Sequence, residues 1–384
     1  MNKYFSSALA VAAVFGLTAC NDYLNQQPED KIIPENFFTS AANLQAYTLN
    51  FYTVLPSHSN NVYELGTFSS DNGTDNQVYR TASTMWVPGE WRVGSGTDNW
   101  SFTNIRSLNY FIQNAEEAIN NGEVSGSESL INQALGEGYF FRAYVYWQYY
   151  SAVGDYPIID EVLPDDNDVL LEASVRQPRN KVARHILDDL TKAISLLPDN
   201  SSYSKNGLNK DAAALFRSRV ALFEGTWLKS HKGTALVPGG PGWPGNTALL
   251  DGFNIDTEIS YFLTEAMASA KSVGDKFVNN LVQNTDTPEG MTAGFTEANP
   301  YYCMFSAVDP SKYSEVLLYR AYSVSQNIST QIQAQFQKNA GGTGWTRGMV
   351  NSFLMRNGLP IYAAGSGYDP AWENQGVSAT NPGT

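Results

Sequence analysis

The stretch "EGYFFRAYVYWQYYSAVGDYPIID", residues 137–160, decides how the chain folds. Between Tyr139 and Tyr150 eight of the twelve residues are aromatic, and they fall on every side of a helical wheel. A helix that is apolar all round is stable only where neighbours cover it. The stretch therefore predicts a helix from about Glu128 to Ser151, buried between others. Gly154 ends it and Pro157 prevents its continuation.

Apolar spacing predicts the neighbours. Phe38, Leu44, Tyr47, Phe51 and Leu55 recur at helical intervals, with Ser40 as a plausible N-cap. A second helix is expected over Phe102–Asn120. Beyond the aromatic helix, "RNKVARHILDDLTKAISLLPDN" (179–200) carries Val182, Ile186, Leu190, Ile194 and Leu197 on one stripe, stopped by Pro198. In "NKDAAALFRSRVALFEGTWL" (209–228) the alanines permit close helix contact. "EISYFLTEAMASAKSV" (258–273) is amphipathic and should close at Gly274, and "NISTQIQAQFQK" (327–338) predicts a short helix. Residues 57–100 read as loop. The segment "ILDDLTKAISLLPDN" and the Ala-rich helix after it resemble halves of tetratricopeptide units, helix pairs that bury their apolar faces by stacking. Insertions at 152–177 and 231–256 break the period. The expected fold is all-α, a tetratricopeptide-like helix-pair scaffold with long irregular loops.

The N-terminus reads differently. "MNKY" carries one positive charge at Lys3, thirteen largely apolar residues follow (Phe5 to Leu17), and Thr18 and Ala19 lead to Cys20. This is the pattern of a secretory signal, too short for a bilayer span, which needs about 20 apolar residues. Leu-Thr-Ala-Cys resembles the bacterial lipobox, so Cys20 is the expected lipidation site, and two or more acyl chains anchor firmly. Residues 1–19 are then a lipoprotein signal peptide and residues 20–36 a polar tether.

With 24 basic and 38 acidic residues the chain carries a net charge of −14. Nucleic-acid binding needs a basic surface that displaces phosphate counterions, so that class is excluded. Only two cysteines are present, which rules out a disulfide framework, a Cys-rich zinc site and a redox CxxC. The three histidines, His58, His185 and His231, stand apart and read as surface or capping residues. No nucleophile elbow occurs, since "AAGSGY" (363–368) has the wrong spacing, and no phosphate loop or HExxH occurs. The acidic clusters at 165–168 and at Asp188–Asp189 read as a solvated turn and as the polar face of a helix. No catalytic residue, metal site or cofactor is expected.

Binding is better supported. Sugars offer C–H faces to flat rings and hydroxyls to polar side chains. "DNGTDNQVYRTASTMWVPGEWRVGSGTDNW" (71–100) supplies that mixture on irregular chain: Trp86, Trp91, Tyr79 and Arg80, with Asp71 and Asn76 nearby. Trp100, directly before a helix, reads as a pin for the loop. "VPGGPGWPGN" (237–246) adds Trp243, either displayed or tucked between helices.

Several segments in order resemble one family: the lipobox with "DYLNQQPED"; "NWSFTNIRSLNYFIQNAEEA"; the aromatic helix with its Gly-Asp-x-Pro; "KVARHILDDLTKAISLLPDN"; "NKDAAALFRSRVALFEGTW"; "SEVLLYRAYS"; and "MVNSFLMRNGLPIY". Together they resemble the SusD/RagB nutrient-binding lipoproteins of Bacteroidota. The resemblance implies a surface-exposed outer-membrane lipoprotein that binds oligosaccharides, or less often peptides, and serves a SusC-type TonB-dependent transporter. It divides the chain into an N-terminal SusD-like helical region, 37–235, and a C-terminal SusD/RagB region, 236–384. Family members run on past Asn-Gly-x-Pro, so the end at "QGVSATNPGT" is expected to mark a C-terminal truncation. The competing readings are a helical-repeat adaptor that binds peptide or protein without glycan affinity, and an exported glycan hydrolase.

Overall fold

A computed structural model describes residues 37–61, 66–79, 87–90, 98–201, 203–281, 303–305, 307–334, 337 and 343–370. The expected signal peptide and tether (residues 1–36, with Cys20), Arg80, Trp86 and Trp91 lie outside the described residues. The chain forms two compact units, one of residues 1–52 with 98–319 and one of residues 53–97 with 320–384.

The first unit is built of helices: α1 (Ala41–Leu49), α2 (Thr103–Asn120), α3 (Glu128–Val153), α4 (Asn167–Ala173), α5 (Arg179–Leu196), α6 (Lys210–Ser230) and α7 (Ile255–Phe277). Short polar side chains start several of them by accepting orphan amide protons. Ser40 caps α1, Ser127 α3, Asn209 α6 and Asn254 α7. Pro198 forces Leu197 to extended geometry (φ −65°, ψ 143°), which ends α5.

Helix α3 is the aromatic stretch, and it packs against α1, α2 and α5; α5 then packs on α6, and α6 on α7. Tyr139, Phe140, Phe141, Tyr146 and Tyr150 are buried. Glycines set the closest approaches. A Cβ on Gly138 of α3 would stand 2.6 Å from the Phe111 ring of α2, and one on Gly225 of α6 would stand 2.8 Å from Leu263 of α7. The scaffold is all-α and made of packed helix pairs, as the periodicity predicts.

The second unit holds the described strands, β1 (Gln77–Tyr79) and β2 (Thr343–Trp345), paired antiparallel. Helix α8 (Arg347–Ser352) follows β2 directly. No helix among the described residues is long and apolar enough to cross a membrane.

One local expectation is corrected. Helix α7 does not close at Gly274: Gly274 lacks a positive φ, and the helix runs to Phe277, with Val278 donating back to the Gly274 carbonyl. In the segment 327–338 a helical turn is described at Ile332–Ala334, and residues 335, 336 and 338 lie outside the described residues. Residues 165–168, read as a solvated turn, are exposed, and Asp166 among them accepts from the amides of Asp168 and Val169 and starts α4.

Candidate functional site

The site candidates begin with residues 71–79 of the second unit. Gly73 adopts φ +84°, which only glycine enters without strain, and its amide donates to the Gln77 carbonyl at 3.0 Å. Gln77 Nε2 donates to Asn72 Oδ1 at 2.8 Å, and the Thr74 amide donates to the Asp71 carbonyl at 3.1 Å. The turn is thus fixed by its own backbone and amide groups, which leaves Asp71 and Asn76 exposed to solvent. The chain runs straight from this turn into β1.

Strand pairing decides what β1 presents. Gln77 lies opposite Trp345, Val78 opposite Gly344 and Tyr79 opposite Thr343. Residues directly opposite share a face and side chains alternate, so Gln77, Tyr79 and Trp345 project from one face of the ladder. Trp345 is 65% exposed and Tyr79 41%. Phe353, past the end of α8, stacks on Trp345 with ring centroids 5.5 Å apart and planes 29° apart. Thr346 holds this corner. Its hydroxyl donates to the Asp75 carbonyl and accepts from the Met349 amide (3.0 Å), while its own amide donates to the Asn76 carbonyl at 2.9 Å. Wet aromatic rings on a fixed backbone, beside Asp71, Asn76 and Gln77, form a surface suited to a ligand with both an apolar face and hydroxyls.

Asn-Gly-x-Pro closes the neighbouring loop. Asn357 Nδ2 donates to the carbonyls of Gly365 (3.0 Å) and Ser366 (3.2 Å), and Gly358 takes φ +77°. Ser366 is buried and its hydroxyl donates to the Ile361 carbonyl at 3.0 Å, so it is a structural hydroxyl. Tyr362 is left outside, 84% exposed.

The structure brings Tyr79, Asp71 and Asn76 onto one turn and strand, whereas Trp243 belongs to the first unit. Trp243 is tucked: its indole N–H donates to Asp155 Oδ2 at 2.9 Å, and Asp155 Oδ1 accepts the amide of Arg179. Burial pushes the Asp155 carboxyl above its ordinary range. Trp100 stacks on Tyr156 at 5.4 Å and 12°, the pin that its position suggests.

Asp189 is not on a polar face. It is 2% exposed and accepts two 2.7 Å hydrogen bonds from Arg142, whose Nη1 also donates to Asn109. His185 is likewise no surface residue: it meets the Tyr146 ring edge-on, and its Nε2 lies 3.2 Å from Asp160 Oδ1. Glu224, fully buried, is bound by Arg179 and by the Tyr150 hydroxyl, and burial raises its carboxyl. These charges neutralise one another within the scaffold. No group of His, Cys, Asp and Glu among the described residues could hold a metal ion.

Comparison with known proteins follows the same lines. Residues 22–222 match the model of a SusD-like family described as "Starch-binding associating with outer membrane". One SusD-like protein of Formosa agariphila is 27% identical over 253 residues, covering 62% of this chain and 46% of that protein. A second from the same organism is 24% identical over 290 residues, covering 70% of this chain and 52% of the relative. The chain thus spans about half the length of these relatives. Among solved structures, a SusD-like carbohydrate binding protein of Bacteroides fragilis superposes with a TM-score of 0.53. It is 14% identical, and the match covers 84% of this chain and 55% of that one, a likeness of fold.

Proposed function

The chain belongs to the SusD-like family, and from that premise we propose that it is a cell-surface lipoprotein that captures oligosaccharides on the ring-bearing face of the β1–β2 ladder. The observation that carries the reading is the pair of exposed rings, Tyr79 and Trp345, on one strand face beside the turn of Asp71 and Asn76. A pyranose laid on such a ring buries its C–H face while its hydroxyls meet the polar side chains. The family's description, starch-binding, makes α-glucans the first ligands to test. Trp86, Trp91 and Arg80 are proposed for the same site by sequence proximity, and Trp243, in the first unit, is a separate secondary candidate.

Capture is proposed without bond breaking, with the glycan passed to a SusC-type TonB-dependent transporter and the protein held at the outer membrane through lipidated Cys20. Support comes from the lipobox and from the family's association with that membrane.

The test is affinity electrophoresis against soluble starch and a panel of other polysaccharides. Removing a ring that covers one sugar face should cost about 1.5–3 kcal/mol, roughly 10- to 100-fold in affinity. Trp345→Ala and Tyr79→Ala are therefore expected to abolish retardation with unchanged circular dichroism. Retention by both at wild-type strength removes the ladder from the site. Cys20→Ala should release the protein from membranes.

A further inference from the structure

The excursion between α3 and α5 is held firmly at its base and bare at its tip. Tyr156 and Gln177 exchange two backbone hydrogen bonds, at 3.2 and 3.0 Å, and so close the loop. Its incoming limb is nailed to α2: Asn109 Nδ2 donates to the carbonyls of Ile159 (2.8 Å) and Glu161 (3.1 Å), and Arg106 donates to that of Leu163 (2.6 Å). Leu163 is the last buried side chain before the tip.

Helix α4 then stands clear, with no buried residue. Val169, Leu170, Leu171 and Val175 are all exposed, Leu171 to 64%. A seven-residue helix is not stable in water by itself, so the cap at Asp166 and the clamped base maintain a helix whose apolar side chains face solvent. Four exposed apolar side chains within seven residues, on a segment held in place from its base, offer a place for contact.

The charges around it select the occupant. Residues 160–176 contain six acids, Asp160, Glu161, Asp165, Asp166, Asp168 and Glu172, against one base, Arg176, whose guanidinium lies over the Trp100 ring at 5.8 Å. A second copy would bring the same acids face to face, and an anionic lipid surface would repel them; like charges brought together at an interface suppress such partners. We propose that α4 is a docking peg for a second protein, one whose surface offers an apolar depression bordered by lysine and arginine.

Photocrosslinking tests this in the cells that make the protein, with benzoylphenylalanine replacing Val169 in the full chain. The expected result is one protein adduct whose crosslinked segment is apolar and flanked by Lys or Arg. Its yield should fall at least about tenfold when Leu170 and Leu171 both become serine, because each buried leucine contributes more than the 1.4 kcal/mol that tenfold represents. Charge reversal at Asp165, Asp168 and Glu172 to lysine should produce a similar loss. Circular dichroism of both variants checks that the scaffold persists, and retention on glycan is a separate readout that neither change should move. The proposal is overturned by no adduct, by an adduct with a second copy or with lipid, by a partner segment without basic neighbours, or by a yield insensitive to both sets of changes.

Discussion

The buried pair Arg142–Asp189 allows a prediction with a worked magnitude. Both side chains are nearly sealed from water, 4% and 2% exposed, and two parallel hydrogen bonds of 2.7 Å join them. Replacing Asp189 with leucine leaves a buried guanidinium that has lost its counter-charge and both acceptors. Asp160 offers little relief, since it lies 3.8 Å away and is 56% exposed. Removing one partner of a buried pair costs about 3–5 kcal/mol, a large fraction of the roughly 5–15 kcal/mol that holds a domain together. Arg142→Met should cost as much, by stranding the carboxylate. If the two losses were independent, the double variant Arg142→Met with Asp189→Leu would lose about 6–10 kcal/mol. Because one apolar pair replaces one ionic pair, the double variant should instead lose only the partner of Asn109 Oδ1, about 1–3 kcal/mol. Urea unfolding at pH 7, followed by far-ultraviolet circular dichroism, measures all three. Additive losses, or a single loss below about 1 kcal/mol, would refute the claim that this pair is a compensated unit inside the helix stack.

Two glycines should respond in opposite directions. Gly138→Ala drives a methyl into the Phe111 ring, at 2.6 Å, and is expected to lower stability by about 1–3 kcal/mol through overpacking. Gly274→Ala places a methyl in open space on the last turns of α7 and should raise stability by about 0.5–1 kcal/mol; paired urea midpoints decide both. Glu137 gives a pH signature. It accepts from Thr48 (2.6 Å), Tyr52 (2.8 Å) and Gln133 (3.0 Å), yet burial raises its carboxyl above the ordinary value. The folded protein therefore holds this proton more tightly than the unfolded chain. The associated stability is complete below the unfolded value of about 4.3 and is lost as pH rises through the raised value. Glu137→Gln has no such proton, so its stability relative to wild type should increase as pH rises from the unfolded value of about 4.3 towards neutrality, and a pH-independent difference would contradict this.

Much of the scaffold was legible because its causes are local. The aromatic crowding of 139–150 dictates burial, Pro198 dictates a stop, and Ser40 is a cap in the structure as in the sequence. Gly274 misled because glycine is a strong stop signal only where φ turns positive, and here it stays within a helix that runs on to Phe277. The ladder was not legible. Tyr79 was singled out, but Trp345 pairs with Gln77 across more than 260 residues, and neither three-residue strand carries an alternating pattern long enough to read.

The acidic pair at 188–189 shows what a closer reading of spacing yields. The start of the stripe, Val182, Ile186 and Leu190, fixes the inner face of α5, and position 189, three residues past Ile186, lies beside it, while 188 points outward. A carboxylate on an inner face requires a cation, and Arg142 is the lone base in the aromatic stretch that covers that face. The two anomalies, an acid in an apolar stripe and a base in an aromatic helix, resolve each other. The same reasoning separates scaffold from site. Charges that neutralise one another inside the helices contribute structure, and the proposed site draws instead on rings left wet on a fixed strand. A glycan reading that rests on Tyr79 and Trp345 therefore draws on none of the buried acids. Substituting Asp189 should reduce stability without changing glycan affinity in the fraction that stays folded, and a selective loss of binding there would mean that site and scaffold are not separable.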